Sequence, residues 1–209
     1  MKIEPARELW LVRHAESEGN RGKRFTGHGP SPLSEKGRRQ ADALAEAFGA
    51  LTFEAVYASD LPRAMQTAAP LAQRLGYTIR PWASLRERDM GDLVDLSFDE
   101  VKARYPEGWS ALLRRDPDWA PPNGESHAQC AARVSRAIDE VLSQHARGRV
   151  LVVSHGVAIN HMLRYLMAVT EPAVLFTVDN ASVQRVEWHD GGLRRVACIN
   201  DTAHLSGVT

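Results

Sequence analysis

The chain has 209 residues, and its 26 Lys and Arg balance its 26 Asp and Glu. The length suffices for one domain with a sizeable core, and 44% hydrophobic with 25% charged residues is typical of a globular protein. The neutral balance argues against a general nucleic-acid binder, which normally carries a basic excess. There is no apolar run of membrane-spanning length and no apolar signal region near the N-terminus. We therefore expect a cytoplasmic protein whose partners include neither nucleic acid nor a membrane.

The first half of the chain alternates predicted strands with predicted helices. Residues 9–12 form a short apolar run that predicts a buried strand, and two further strands are predicted at residues 55–58 and 77–80. Between them, one amphipathic helix is expected to begin at an N-cap on Ser34, and another to begin at Pro62 and end at Gly76. A glycine- and proline-rich loop over residues 15–33 is long for a structureless connection, which favours a functional role.

The middle of the chain, residues 81–125, is less regular and is interrupted by prolines. Its short helical patterns lie near residues 97–105 and 108–115. Ser126 and Gln129 then fit a capping box that opens a long helix, which is expected to run to about Arg147 and to end at Gly148. We expect the irregular segment to cap the substrate side of a single domain over residues 1–209.

The last part of the chain predicts one more buried strand and a hairpin. Residues 150–153 are strongly strand-like and lead directly into another helix. Two further strands, over residues 183–188 and 193–199, flank the turn sequence Asp190-Gly191-Gly192. Strands that alternate with helices predict an α/β fold, a three-layer sandwich with a mainly parallel central sheet flanked by helices.

Polar clusters stand where three of the predicted strands stop. These clusters are Arg13-His14, residues 59–63 and Ser154-His155-Gly156. Ligands of open α/β sheets bind at the carboxyl ends of strands, so the clusters are expected to form one site. Guanidinium groups match the oxygens of phosphate or carboxylate, and their positive charge favours a neutral, nucleophilic imidazole beside them. The same charge would repel a divalent cation, so no metal is expected. Cys130 and Cys198 are far apart and indicate neither a disulfide framework nor a metal site.

Five motifs in this order resemble the histidine phosphatase (phosphoglycerate mutase-like) superfamily, over about residues 9–160. They are Leu11-Val12-Arg13-His14 with Glu16, Ser17 and Asn20; Ser59-Asp60-Leu61-Pro62-Arg63-Ala64 with Gln66-Thr67-Ala68; Leu85-Arg86-Glu87; Gly124-Glu125-Ser126; and Val153-Ser154-His155-Gly156. The resemblance implies the phosphoglycerate mutase-like fold and phosphoryl transfer on a small phosphorylated metabolite, with no cofactor.

The resemblance also implies a role for individual residues. His14 would be the nucleophile that forms a phosphohistidine, and Glu87 would be the general acid and then the general base. The phosphoryl oxygens would be bound by Arg13, Asn20, Arg63 and His155. Ala15 stands where the family usually has glycine, and its methyl group is expected to crowd the approach of the backbone to the phosphate.

The choice between a phosphatase and a mutase depends on the weaker matches. Thr26, Gly27, Arg88 and Arg114 have counterparts in the mutases and are candidates for substrate binding. Against a mutase, Met90 stands where an aromatic residue is expected, no lysine lies near residues 96–98, and little chain is left to form a lid. Because a mutase must keep water from its phosphoenzyme, a short lid favours hydrolysis.

We therefore expect a phosphomonoester hydrolase, with a cofactor-dependent phosphoglycerate mutase as the alternative. A phosphate-binding module without catalysis is the third candidate, since one fold hosts many functions. The presence of both His14 and Glu87 favours an enzyme, because a pure binder needs neither. The sequence names no substrate, and it leaves open whether two copies pair through a sheet edge as a homodimer.

Overall fold

The computed structural model describes residues 4–171 and 174–208. Within them lies one six-stranded sheet in the order β3-β2-β4-β1-β5-β6. The strands are β1 (Arg7–Arg13), β2 (Ala55–Ala58), β3 (Ile79–Pro81), β4 (Gly148–Ser154), β5 (Val183–Trp188) and β6 (Arg194–Asp201). The first four in the order run parallel, and β5 and β6 are antiparallel to their neighbours.

Seven α-helices flank the sheet or cover its carboxyl edge within the described residues. They are α1 (Glu18–Arg21), α2 (Glu35–Ala47), α3 (Pro62–Leu75), α4 (Phe98–Arg104), α5 (Pro106–Arg114), α6 (His127–Gln144) and α7 (Gly156–Leu166). Hydrophobic side chains of α2 and α3 pack on one face of the sheet, and those of α6 and α7 pack on the other. The fold is thus the three-layer α/β sandwich with a mainly parallel sheet that the sequence predicts.

The two faces follow from the alternation of side chains along β1. Leu9 and Leu11 point into the core beneath α6 and α7, whereas Trp10 and Val12 point into the core beneath α2 and α3. Both leucines are completely buried. Burial of a side chain of that size contributes about 1.5–3 kcal/mol, so β1 anchors both layers and fixes where Arg13 emerges.

Several predicted elements differ from the structure. The long loop contains a short helix, α1. Ser17 is its N-cap and forms a capping box with Asn20. The predicted long helix ends at Gln144, and Gly148 opens β4 with a φ of 77° instead of ending the helix. Gly148 pairs with Arg7 of β1, so pairing between strands decided this boundary. No helix of the described residues is long and apolar enough to cross a membrane.

The register of the central strands brings the polar clusters together. Arg13 pairs with Ser154 across β1 and β4, so His14 and His155 continue side by side beyond the sheet. On the other edge of β4, Ala58 pairs with Val153, which places Ser59 next to the same point. The carboxyl ends of three parallel strands therefore meet there.

Candidate active site

The His14 imidazole is buried directly after β1, and 3% of the residue is exposed. Its Nδ1 lies 2.7 Å from the Ala15 carbonyl oxygen. A carbonyl only accepts, so Nδ1 carries the proton and donates it. In a neutral ring, the lone pair is then on Nε2, the atom that can attack a phosphorus.

The surroundings keep this imidazole neutral. Burial, followed by the positive charges of Arg63 and Arg13, lowers the pKa of His14 well below its usual value. The bond to the Ala15 carbonyl opposes that shift but is the weakest of these influences. The His14 imidazole is therefore neutral at neutral pH, with a free lone pair on Nε2.

Two arginines converge on the space beside His14. Arg63, in the first turn of α3, is completely buried and donates from Nη2 to the Gly27 carbonyl at 2.7 Å and from Nη1 to that of Gly29 at 3.3 Å. Arg13 donates from Nη1 to the Val178 carbonyl at 2.6 Å. The Nε atoms of both arginines are buried without a hydrogen-bond partner among the described residues. Each guanidinium is thus fixed by a backbone carbonyl and keeps one buried donor unpaired.

His155 adds a further unpaired ring nitrogen. The rings of His14 and His155 are 5.0 Å apart, and His155 Nε2 lies 2.8 Å from Ser59 Oγ. The Leu61 N–H also donates to that hydroxyl, which has a second lone pair and one proton with which to pair Nε2 in either tautomer. The other ring nitrogen, Nδ1, is buried without a partner in the described part of the chain. Burial, followed by Arg63, lowers the pKa of His155 well below its usual value, which keeps the ring neutral.

The Glu87 carboxylate lies at the N-terminus of α7. Its Oε2 accepts from the Val157 N–H at 3.1 Å, and its Oε1 accepts from the N–H groups of Ala158 at 3.1 Å and Arg88 at 2.9 Å. Oε1 thus has both lone pairs engaged, whereas Oε2 retains one, which can hold or take a proton. Glu87 also lines the cavity described below.

The backbone of Glu87 is held from two sides. Arg133 Nη2 donates to its carbonyl at 3.1 Å, and His28 Nε2 donates to the same oxygen at 2.7 Å. The other ring nitrogen of His28 lies 3.3 Å from the Asp89 carboxylate. Sequence reasoning did not identify this contact of His28 with the backbone of the predicted general acid.

Asn20 meets a partner that sequence reasoning missed. Its Oδ1 accepts from Ser17 and from Asn180 Nδ2 at 3.1 Å, and its own Nδ2 has no partner among the described residues. Asn180 Nδ2 also donates to the His14 carbonyl at 3.1 Å. Asn180 therefore connects the long loop to the backbone of His14. An asparagine before a strand is ordinary in turns, so the sequence carried no signal for this role.

Ala15 does not crowd the phosphate space. Its side chain is completely buried and packs with Leu33, Ala41 and Ala181, while its N–H donates to Thr67 Oγ1 at 2.9 Å. The expectation that the Ala15 methyl group crowds the approach of the backbone to the phosphate was wrong, because this methyl group packs in a small apolar cluster.

A cavity of about 400 Å³, the main cavity, adjoins this site through Arg13 and Glu87, whereas the lining does not include His14, Asn20, Arg63 or His155. Its polar lining comes from Arg13, Arg24, Thr26, Glu87, Arg88, Arg115 and His127, and its apolar lining from Phe25, Met90, Phe98, Trp109, Leu112, Leu113 and Val157, with Gly27 beside them. The segment 81–125 supplies much of the apolar wall through α4 and α5.

The predicted substrate-binding residues divide into two groups. Thr26, Gly27 and Arg88 line the main cavity, although Arg88 also donates to the carbonyls of Trp119 and Glu125. Arg114 was also expected to bind substrate, but it is exposed and does not line the main cavity. The neighbouring Arg115 lines the cavity instead, because α5 ends at Arg114 and the chain turns there.

Comparison with known proteins decides the family. The model of the histidine phosphatase superfamily, branch 1, matches residues 9–202. The chain belongs to this superfamily. A probable phosphoglycerate mutase GpmB from Cronobacter sakazakii is 34% identical over 183 residues, covering 87% of this chain and 85% of that protein. The corresponding protein of Proteus mirabilis is 32% identical and covers 96% of each chain.

Solved structures of the superfamily share the fold. A mycobacterial glucosyl-3-phosphoglycerate phosphatase superposes with a TM-score of 0.83 at 31% identity, over 94% of this chain and 99% of that one. YhfR from Bacillus stearothermophilus gives a TM-score of 0.88 at 29% identity, over 96% of this chain and 100% of that one. A putative α-ribazole-5′-phosphate phosphatase from Escherichia coli gives 0.85 at 25% identity, over 94% and 97%.

Proposed function

We propose that the protein is a phosphomonoester hydrolase that acts on a small phosphorylated metabolite through a phosphohistidine on His14. One observation carries the proposal: the neutral His14 ring lies beside Arg13, Arg63 and His155, and the Nε donors of both arginines and the Nδ1 atom of His155 are buried without a partner among the described residues. An unpaired buried donor is costly, so two of them beside one neutral imidazole support a site for an anion.

In the first step, His14 Nε2 forms a bond to phosphorus as the bond from phosphorus to the leaving oxygen breaks. The two arginines and His155 donate to the phosphoryl oxygens, whose charge is largest in the transition state. Loss of one such donor typically costs about 10²–10³ in kcat. The leaving oxygen takes a proton from Glu87 Oε2, the carboxyl atom with a free lone pair. General acid catalysis of this kind contributes about 10²–10⁴-fold.

In the second step, a water oxygen attacks the phosphohistidine and gives its proton to Glu87 Oε2. The bond between phosphorus and His14 Nε2 breaks, which releases phosphate and restores both residues. Phe98 and Leu113 at the wall of the main cavity are 45% and 67% exposed, which supports access of water to this step. An open wall favours hydrolysis over transfer to a second substrate hydroxyl.

A mutase is the second candidate, supported by the relatives named probable phosphoglycerate mutase.

The leaving group is expected to be small and partly apolar, because the main cavity combines cationic residues with Phe25, Met90 and Trp109. Two structural neighbours are named as phosphatases of glucosyl-3-phosphoglycerate and of α-ribazole-5′-phosphate, which are both phosphorylated metabolites.

One assay distinguishes these candidates. A panel of phosphomonoesters, which includes 3-phosphoglycerate with a bisphosphate primer, is incubated with the protein, and free phosphate and isomerised product are measured in the same samples. We expect phosphate release to exceed isomerisation for every substrate. A His14→Ala control should lose both. Isomerisation faster than phosphate release would establish the mutase, and release of phosphate by His14→Ala would refute the mechanism.

A further inference from the structure

Glu87 lies in a segment that has no regular backbone structure. Residues 86–90 form neither helix nor strand and connect the 3₁₀ turns at Ala83–Leu85 and Gly91–Leu93. Among the described residues, no backbone N–H donates to the Glu87 carbonyl, whose oxygen accepts only from the side chains of His28 and Arg133. Since a carbonyl oxygen has two lone pairs, these two side chains engage it fully. They fix the backbone from which the carboxylate reaches the N-terminus of α7.

The His28 imidazole makes the shorter of these two bonds. Its Nε2 donates to the Glu87 carbonyl at 2.7 Å, whereas Arg133 Nη2 donates at 3.1 Å. The other ring nitrogen lies 3.3 Å from the Asp89 carboxylate, which in turn accepts from the Gly91 N–H at 2.9 Å. Carbonyl and carboxylate oxygens only accept, so the ring satisfies both when each nitrogen carries a proton. The ring is therefore oriented by contacts at both of its nitrogens.

The loop that carries His28 also anchors a phosphate-binding arginine. The carbonyls of Gly27 and Gly29, on either side of His28, accept from the buried Arg63 guanidinium at 2.7 and 3.3 Å. Gly27 has a φ of 42°, and a Cβ on it would lie 2.7 Å from the backbone nitrogen of Met90. Only glycine permits so close an approach there. The loop is thus fixed to Arg63 on one side and packs directly on the segment of the general acid on the other.

The other side chains that hold this segment come from different parts of the fold. Arg133 of α6 is paired with Glu125 at 2.6 Å, and Arg86 is paired with Asp60, after β2, at 2.6 Å. Within the described part of the chain, His28 is the one residue of the long loop, residues 15–33, that forms a hydrogen bond or ion pair with residues 86–90. Loss of its nitrogens therefore leaves that segment held only from α6 and from the end of β2.

We propose that His28 is a positioning residue for the general acid Glu87. It joins the loop that holds Arg63 to the backbone of Glu87, and so fixes the proton-donating group relative to the groups that bind the phosphoryl oxygens. His28 does not line the main cavity, so it acts through Glu87. Displacement of a reacting group by about 1 Å can cost about 10²-fold in rate. The proposal rests on the proposed function, since it needs Glu87 to be the acid.

The dependence of the rate on the leaving group tests this role. His28→Phe and His28→Leu both remove the ring nitrogens but differ in size, so one variant remains informative if the other fails to fold. We expect kcat/KM for an alkyl phosphate to fall at least about ten-fold in both, and for p-nitrophenyl phosphate less than about three-fold, because its leaving oxygen needs no proton. His28→Gln, which restores an N–H, should stay within about three-fold of the unmodified protein on both esters.

A double-variant cycle separates positioning from a general structural role. In a Glu87→Gln background the acid is absent, so His28→Phe should change kcat/KM for the alkyl ester less than about two-fold. The matched control is His145→Phe, at a half-buried histidine before β4 and therefore at the opposite edge of the sheet, and it should change neither rate. Urea unfolding confirms that each variant is folded.

Three results would overturn the proposal. They are equal losses on both esters in the His28 variants, a loss in His28→Gln as large as in His28→Phe, and a further ten-fold loss from His28→Phe in the Glu87→Gln background. If Glu87→Gln shows the selective loss on the alkyl ester and His28→Phe does not, the role of His28 alone is refuted. If Glu87→Gln shows no selective loss, the assignment of the acid fails and the role of His28 fails with it.

Discussion

Replacement of Arg63 by lysine tests whether the site needs the fixed, planar set of guanidinium donors or only the positive charge. Arg63 is completely buried and holds the Gly27 and Gly29 carbonyls at 2.7 and 3.3 Å while its Nε is unpaired. A lysine keeps the charge, and with it the neutral state of His14, but its single nitrogen cannot reproduce three separated donors.

The expected losses follow from those contacts. At least one carbonyl of the loop loses its partner, which costs about 1–3 kcal/mol of the free energy of unfolding. The phosphoryl group loses one fixed donor, which costs about 10²–10³ in kcat. Urea unfolding and steady-state kinetics measure the two effects. Arg74→Lys, at the exposed opposite end of α3, is the matched control and should change neither.

The result for Arg63→Lys can refute the reasoning in two ways. If kcat falls less than three-fold while the variant folds normally, the fork is not needed and charge alone is sufficient. If stability falls as expected but the rate does not, Arg63 is a support for the loop and its Nε does not serve the phosphoryl group.

Three further predictions follow from the same geometry. Asn180→Asp, which places an acceptor against the carbonyl of the nucleophile, should lower kcat/KM about ten-fold or more in steady-state assays, since a lost buried hydrogen bond with an unpaired partner costs about 1–3 kcal/mol. Glu87→Gln should slow hydrolysis of alkyl phosphates by about 10²–10⁴-fold but that of p-nitrophenyl phosphate much less, because its leaving oxygen needs no proton; equal losses on both esters would contradict the acid role. The free energy of unfolding should decrease as pH falls below about 6.5, because the pKa of the buried histidines is lower in the folded state than in the unfolded state. Below that pH the unfolded histidines bind protons that the folded ones do not. For His127, whose burial lowers its pKa in the folded state to about 3, this loss is at most about 1.4 kcal/mol per pH unit, and His127→Gln should flatten the curve of unfolding free energy against pH by up to that amount.

The sequence predicted the strand ends well because the signal there is local. Arg13-His14 and Ser154-His155 each follow an apolar run, and parallel strands place such ends at one edge of the sheet. The order of the strands, which puts β4 between β1 and β2, was not predicted from the sequence, since it depends on pairing between distant segments.

The contacts that could not be predicted from the sequence either join distant parts of the chain or depend on the backbone conformation of one residue. Asn180 reaches His14 across most of the chain, and nothing adjacent to it in the sequence marks that contact. Arg115 lines the main cavity in place of Arg114 because a left-handed residue ends α5, and its neighbours give no reason to expect that conformation. The pairing of His127 with His161 needs α6 beside α7, a packing that the separate helical patterns do not specify.

Trapping of the phosphoenzyme tests the central claim most directly. The protein is mixed for milliseconds with a phosphomonoester labelled on its phosphoryl group, quenched in base, and digested for peptide mapping. We predict label that is stable in base, labile in acid and confined to the peptide that contains His14, with none in His14→Ala. Phosphate release without any trapped label at the shortest times, or label on another residue in the unmodified protein, would contradict the assignment of His14 as the nucleophile.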